Sequence, residues 1–161
     1  DKMGREAARL GGAWLVGEAG VRSSKTRAVE YLGDLMAEVD ARFVSVYLWD
    51  YSRGAEGSYA LLGPAGEERP AAAALVRPYM HYIAGEPLEQ TYDSSNGAFS
   101  AAWAERGVPG ATEIVLPARL YEPTPRLTAG DPRDRLELSQ GRLLVHGDPA
   151  VAVHRVRVER P

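Results

Sequence analysis

Two apolar runs separated by an amphipathic segment set the tightest limit on what this chain can fold into. The first, "AWLVGEAGV" (Ala13 to Val21), is short and flanked by Gly11, Gly12 and Gly20. That pattern suits a buried parallel strand. Val29, Leu32, Leu35 or Met36, and Val39 then recur at three- and four-residue steps, which draws one apolar stripe along a helix. Lys25, Arg27, Glu30, Asp34 and Glu38 fall largely outside the stripe, and Ser23 or Ser24 is placed to cap the N-terminus. The second run, "RFVSVYLWDY" (Arg42 to Tyr51), is rich in β-branched and aromatic residues and reads as a strand. A strand–helix–strand order with a connection of this length predicts a right-handed parallel crossover.

A long loop follows from Ser52 to Pro70, dense in glycine and proline. Connections of this length are commonly functional. Pro70 suits the first position of a helix through "AAAALV", which Pro78 then kinks or ends. After "IAGEPL" the helical period stops. "EQTYD", "GAFSAAWAE", "TEIVLPA", "DRLELS", "RLLVHG" and "AVAVHRVRVE" are short strand candidates separated by turn sequences. They predict an antiparallel β-sandwich. Phe99, Ala101 and Trp103 share one face, as do Leu136 and Leu138. In the last strand the valine alternation slips at His154–Arg155, which suggests a β-bulge. "YEPTPRLTAGDPRD" is too rich in proline for a central strand and reads as an exposed connection. The expected fold class is thus α/β plus all-β, with a boundary near Gly85: residues 1–85 alternate strand and helix, and residues 86–161 form the sandwich.

Composition narrows the partners. The 161 residues carry a net charge of −3 and 45% hydrophobic content, which gives no electrostatic reason to expect nucleic acid. Without cysteine there is neither a disulfide framework nor thiolate chemistry. No apolar run approaches a transmembrane span. His81, His146 and His154 lack ligand spacing and are read as surface or hydrogen-bonded residues, so neither a metal nor a cofactor is expected. The opening "DKMGREAARLGG" reads as the start of an excised C-terminal portion of a longer chain, an expression scar being the alternative. Tyr79 and Tyr82 are read as packing residues between the domains. Arg155, Arg157 and Arg160 are read as the solvated face of the last strand.

Glu18 stands at the carboxyl end of the first strand, and Trp49 and Asp50 at the same end of the second. Parallel sheets and barrels place ligands at that end. A carboxylate beside a tryptophan suits sugar chemistry: the indole packs on the C–H face of a pyranose while the carboxylate attacks the anomeric carbon. Read by itself, Glu18 between glycines is also compatible with an ordinary turn residue, Trp49 with a core position, and Asp50 with a hydrogen-bonding or capping group.

The order "WLVGEAGV", helix, "VSVYLWDY", long loop, helix resembles the last two (β/α) units of a TIM barrel in glycoside hydrolase family 5. "LVRPYMHYIAGEPLEQTYDSSNGAFSAAW", "TEIVLPARLY" and the valine-rich last strand resemble the C-terminal β-sandwich of that family's endoglycosylceramidase-like members. The resemblance implies a retaining β-glycosidase, with Glu18 as nucleophile and Trp49 as a sugar-stacking residue. Ala19 departs from the family's G-E-aromatic-G pattern. The candidate substrate-binding residues are Trp49, Asp50, Tyr59 and Leu61, the last two, with Leu62, facing a hydrophobic aglycone. A carbohydrate or glycolipid substrate and a secreted parent protein are expected. A full barrel needs about 250 residues, so the acid/base carboxyl and the rest of the barrel are expected upstream in a parent chain or in a second chain. The isolated chain is then expected to be inactive. The competing class is a non-catalytic carbohydrate-binding or barrel-bracing module.

Overall fold

The computed structural model describes residues 2–161, which form two compact units, one ending at Val76 and one spanning Arg77–Pro161. The boundary expected near Gly85 lies in the turn that follows the first strand of the second unit.

The first unit contains α1 (Lys2–Leu10), β1 (Leu15–Ala19), α2 (Ala28–Ala41), β2 (Ser45–Leu48) and α3 (Pro70–Ala73). β1 and β2 pair in parallel, with α2 between them in sequence. The buried stripe of α2 is Ala28, Leu32, Met36 and Val39, with Leu35 at its margin; Val29 falls off it and is 41% exposed. Leu32 and Ala28 pack with Leu61, Ala71 and Ala72, and Leu48 and Val21 close over them. The loop 52–69 therefore contributes to the core through Leu61. Ser23 and Ser24 do not cap α2, whose N-cap is Arg27. Ser23 has another task, described below.

The second unit holds β3 (Tyr79–Tyr82), β4 (Glu86–Asp93), β5 (Ala98–Ala104), β6 (Thr112–Val115), α4 (Ala118–Tyr121), β7 (Arg126–Ala129), β8 (Arg135–Ser139), β9 (Arg142–His146) and β10 (Val153–Glu159). They build two antiparallel four-stranded sheets, ordered β4-β5-β10-β7 and β3-β6-β9-β8. Phe99, Ala101 and Trp103 of β5, Val156 and Val158 of β10, Ile114 of β6, and Leu143 and Val145 of β9 form one buried cluster. This is the β-sandwich expected from the strand pattern.

Four local readings change. Residues 79–82 form an edge strand, not the end of a helix, because Pro78 denies the chain a helical hydrogen bond and β6 offers a ladder. "YEPTPRLTAGDPRD" contains edge strand β7, which pairs only with β10 and begins beyond Pro123 and Pro125. Leu138 is 39% exposed although Leu136 packs on the core. The β-bulge expected at His154–Arg155 is absent: β10 pairs with β5 in unbroken register from Val153 to Val158. His154 itself occupies the inward position that a valine would take, and it is fully buried.

Candidate active site

The candidate residues Glu18 and Trp49 lie at the carboxyl ends of β1 and β2. Val16 partners Val46, yet Ala19 partners Leu48, so β1 has one more residue than β2 over this interval. An extra residue of this kind re-aims the side chains that follow it. Without it, Glu18 would lie opposite Leu48 and face the core. With it, Ala19 takes the core side, and Glu18 turns to the exposed side, that of Tyr47.

Trp49 follows directly on β2 and is 55% exposed. Its backbone N–H donates to the Ala19 carbonyl at 2.7 Å, which ties it to the residue after Glu18. A Cβ on Gly20 would stand 2.1 Å from the Trp49 carbonyl oxygen, so only glycine permits this approach. The Trp49–Asp50 peptide bond is cis.

Trp49, Asp50 and Tyr59 line a common cavity of about 480 Å³. The Asp50 carboxylate accepts from Ser52 Oγ at 2.8 Å. Tyr59 is 41% exposed, and the Arg22 guanidinium lies 5.7 Å from its ring centroid. Glu18 is not among the cavity walls, and its link to Trp49 runs through the Ala19 backbone. Leu61, expected to face a substrate, is only 6% exposed and is held in the core of the first unit. Its side chain is spent on packing, which leaves Tyr59 as the exposed apolar residue of this loop.

The sequence reading missed what holds the cavity's loop in place. Arg69 donates through Nη1 to Ser23 Oγ at 2.6 Å and through Nη2 to the carbonyls of Gly54 and Ala55 at 2.6 and 3.0 Å. Ser23 Oγ also accepts from Gly57 N–H at 3.2 Å, while Ser23 N–H donates to the Ser58 carbonyl at 2.9 Å. One guanidinium thus joins the segment after β1 to the loop after β2. The only hint in the sequence was an arginine directly before a helix N1 proline, in a stretch otherwise rich in small residues.

Among the described residues, no group of three or more His, Asp or Glu stands close enough to hold a metal ion, and no helix is long and apolar enough to cross a membrane.

A parallel strand–helix–strand unit joined in sequence to a two-sheet antiparallel β-sandwich defines the class of this chain as α/β plus all-β. The chain belongs to glycoside hydrolase family 5: residues 77–158 match the glycoside hydrolase family 5 C-terminal domain. It is similar in structure to endo-glycoceramidase II from Rhodococcus sp., with a TM-score of 0.82 and 18% identity over 97% of this chain and 35% of that one. The same enzyme in complex with ganglioside GM3 superposes with a TM-score of 0.79 and 17% identity, over 93% of this chain and 32% of that one. Sterylglucosidase 1 from Cryptococcus neoformans gives 0.75 and 18%, over 91% and 28%. At these identities the likeness is one of fold. The chain spans about a third of the length of these structures. No curated protein sequence matches it.

Proposed function

We propose that this chain is the C-terminal portion of a retaining β-glycosidase, with Glu18 as nucleophile and Trp49 as the platform for a sugar ring. One observation carries the reading: the extra residue in β1 turns Glu18 away from the core to the side of Tyr47, and a backbone hydrogen bond ties Trp49 to the neighbouring Ala19. In this role Glu18 attacks the anomeric carbon, a covalent glycosyl–enzyme ester forms, and water later releases the sugar. The reaction needs a second carboxyl about 5–5.5 Å from the first to protonate the leaving oxygen. Asp50, held by Ser52, is assigned to the substrate cavity and not to that task.

The first unit supplies the last two (β/α) units of a barrel in this reading. Its two-stranded sheet leaves an exposed side bearing Leu15 (52%) and Tyr47 (65%), which an isolated sheet would not be expected to show to water. The rest of the barrel, from the same parent chain or a second chain, covers that side and brings the acid/base. The structural relatives act on glycolipid-type compounds by name, a glycoceramide and a sterylglucoside. The substrate proposed here is accordingly a β-glycoside with a lipid aglycone.

The test is made on the parent enzyme with a 2-deoxy-2-fluoro β-glycoside carrying a good leaving group. Mass spectrometry should find the fluorosugar ester on the peptide containing Glu18, and Glu18→Gln should abolish both labelling and turnover. Turnover that survives Glu18→Gln rejects the nucleophile. Turnover by the 161-residue chain alone rejects the missing acid/base.

A further inference from the structure

The cavity beside Trp49 holds two arginines that sugar stacking leaves unexplained. Its walls carry Arg22, Asp50, Arg53 and Glu56 together with Trp49 and Tyr59. Four charges of mixed sign in one cavity would normally pair off. No ion pair forms between them, and neither Arg22 nor Arg53 finds a carboxylate partner among the described residues. Asp50 is engaged by Ser52 Oγ.

Both guanidinia are nevertheless placed. Arg22 lies over the Tyr59 ring at 5.7 Å, a contact that uses the cation's charge and none of its N–H donors. Arg53 packs flat on Gly66: a Cβ there would lie 3.1 Å from its Nε and Nη2. Each guanidinium keeps a fork of donors whose geometry matches a carboxylate. A neutral sugar ring satisfies these forks only with hydroxyl groups, whereas a ring bearing a carboxylate satisfies them with charge.

We propose that this cavity is a subsite for an acidic sugar residue, its ring against Trp49 and its carboxylate held by Arg22 and Arg53. The inference rests on the reading of Trp49 as a sugar platform and adds the charge of the sugar that the cavity selects. Arg22 follows β1 and Arg53 follows β2, so the segments that carry them are the two that Arg69 joins.

Isothermal titration of the full 161-residue chain at low ionic strength separates the two claims. The probes are methyl β-D-glucuronide, methyl β-D-glucoside and sodium sulfate. Two partly exposed ion pairs predict that the glucuronide binds about five- to tenfold more tightly than the glucoside. The preference should shrink with added salt and collapse to about one in Arg22→Gln/Arg53→Gln. Both residues are exposed, so the variant should fold, and an unchanged circular dichroism spectrum checks this. Equal affinity for both sugars overturns the acidic-sugar inference and leaves the glycan platform standing. Binding of neither sugar overturns both. Sulfate binding as tightly as the glucuronide reduces the site to a simple anion pocket and overturns the inference, as does a preference that survives the double substitution.

Discussion

His154 Nδ1 lies 2.9 Å from Asp134 Oδ1, and both side chains are fully buried. On its other edge, Nε2 faces Glu105 Oε2 at 3.1 Å, and the ring stacks on Trp103 at 5.4 Å between centroids. A carboxylate therefore stands within hydrogen-bond distance of each ring nitrogen. Asp134 also accepts from Asp148 N–H at 3.1 Å. Gly147 fits against the ring because a Cβ there would come within 2.6 Å of it.

Removing the histidine takes away the ring that faces the buried Asp134 carboxylate and leaves it the Asp148 N–H. His154→Gln should therefore cost about 1–3 kcal/mol, the range for leaving a buried polar group short of a hydrogen-bond partner. Urea unfolding followed by circular dichroism measures it. A loss within about 0.5 kcal/mol, as for an ordinary surface substitution, would show that the network contributes little.

Acid should weaken the sandwich in a defined window. Glu105 is held below the usual carboxylate range by the Gly107 N–H and then by His154. Asp131 is drawn down to about 2 by hydrogen bonds from the Arg133 side chain and backbone. Glu137 is lowered by Arg135 and then His146. A carboxylate whose folded value is depressed binds protons more readily when unfolded, so stability is lost as pH falls. The urea midpoint should stay level from pH 7 to about 5 and fall between about 4.5 and 2. Glu105→Gln should make that fall shallower. A midpoint that holds to pH 2 contradicts the assignment.

The same network explains what the sequence showed and what it hid. The alternation of Phe99, Ala101 and Trp103 is a direct image of one buried face, because β5 lies between two partner strands and is covered by the facing sheet. In β10 the alternation of valines breaks at His154, and a bulge was the natural reading. The strand is regular; a polar residue sits inward because Asp134 and Glu105, 20 and 49 residues away, give its ring nitrogens hydrogen-bond partners. No local pattern reports such distant partners. At the candidate site the strand-end positions of Glu18 and Trp49 follow from the two apolar runs, while their roles rest on the family resemblance. The inserted residue that aims Glu18 was not legible, since it exists only as a mismatch of register with β2. Leu61 looked like any loop leucine until α2 and α3 were seen to close over it.

The loop bearing Tyr59 should depend on Arg69. Its guanidinium makes three hydrogen bonds across two segments, and its Nε is buried without an acceptor among the described residues. Arg69→Ala should remove all three and raise amide exchange in Gly54, Gly57 and Ser58 by at least about tenfold. Ser23→Ala should loosen Gly57 chiefly, since it deletes one acceptor and leaves the carbonyl bonds to Arg69. Hydrogen-exchange mass spectrometry distinguishes the two. Unchanged exchange in Arg69→Ala would mean that Leu61 packing alone fixes the loop.

Gly20 offers the sharpest check on how Trp49 is placed. An alanine there would put Cβ 2.1 Å from the Trp49 carbonyl oxygen and 3.3 Å from the Tyr59 ring. The first contact is with backbone, which side-chain rotation cannot relieve. The strand ends must therefore part, and the 2.7 Å bond from Trp49 N–H to the Ala19 carbonyl should lengthen or break. Gly20→Ala should destabilise the first unit by about 1–3 kcal/mol, the range for overpacking. The Trp49 indole resonance in a ¹⁵N-correlated NMR spectrum should shift, while that of Trp103 should stay in place. Ala19→Gly is the control: it keeps the carbonyl acceptor and adds no atom, so the Trp49 resonance should move far less. A Trp49 signal indifferent to Gly20→Ala would show that the aromatic platform is positioned by something other than the close approach of these two strand ends.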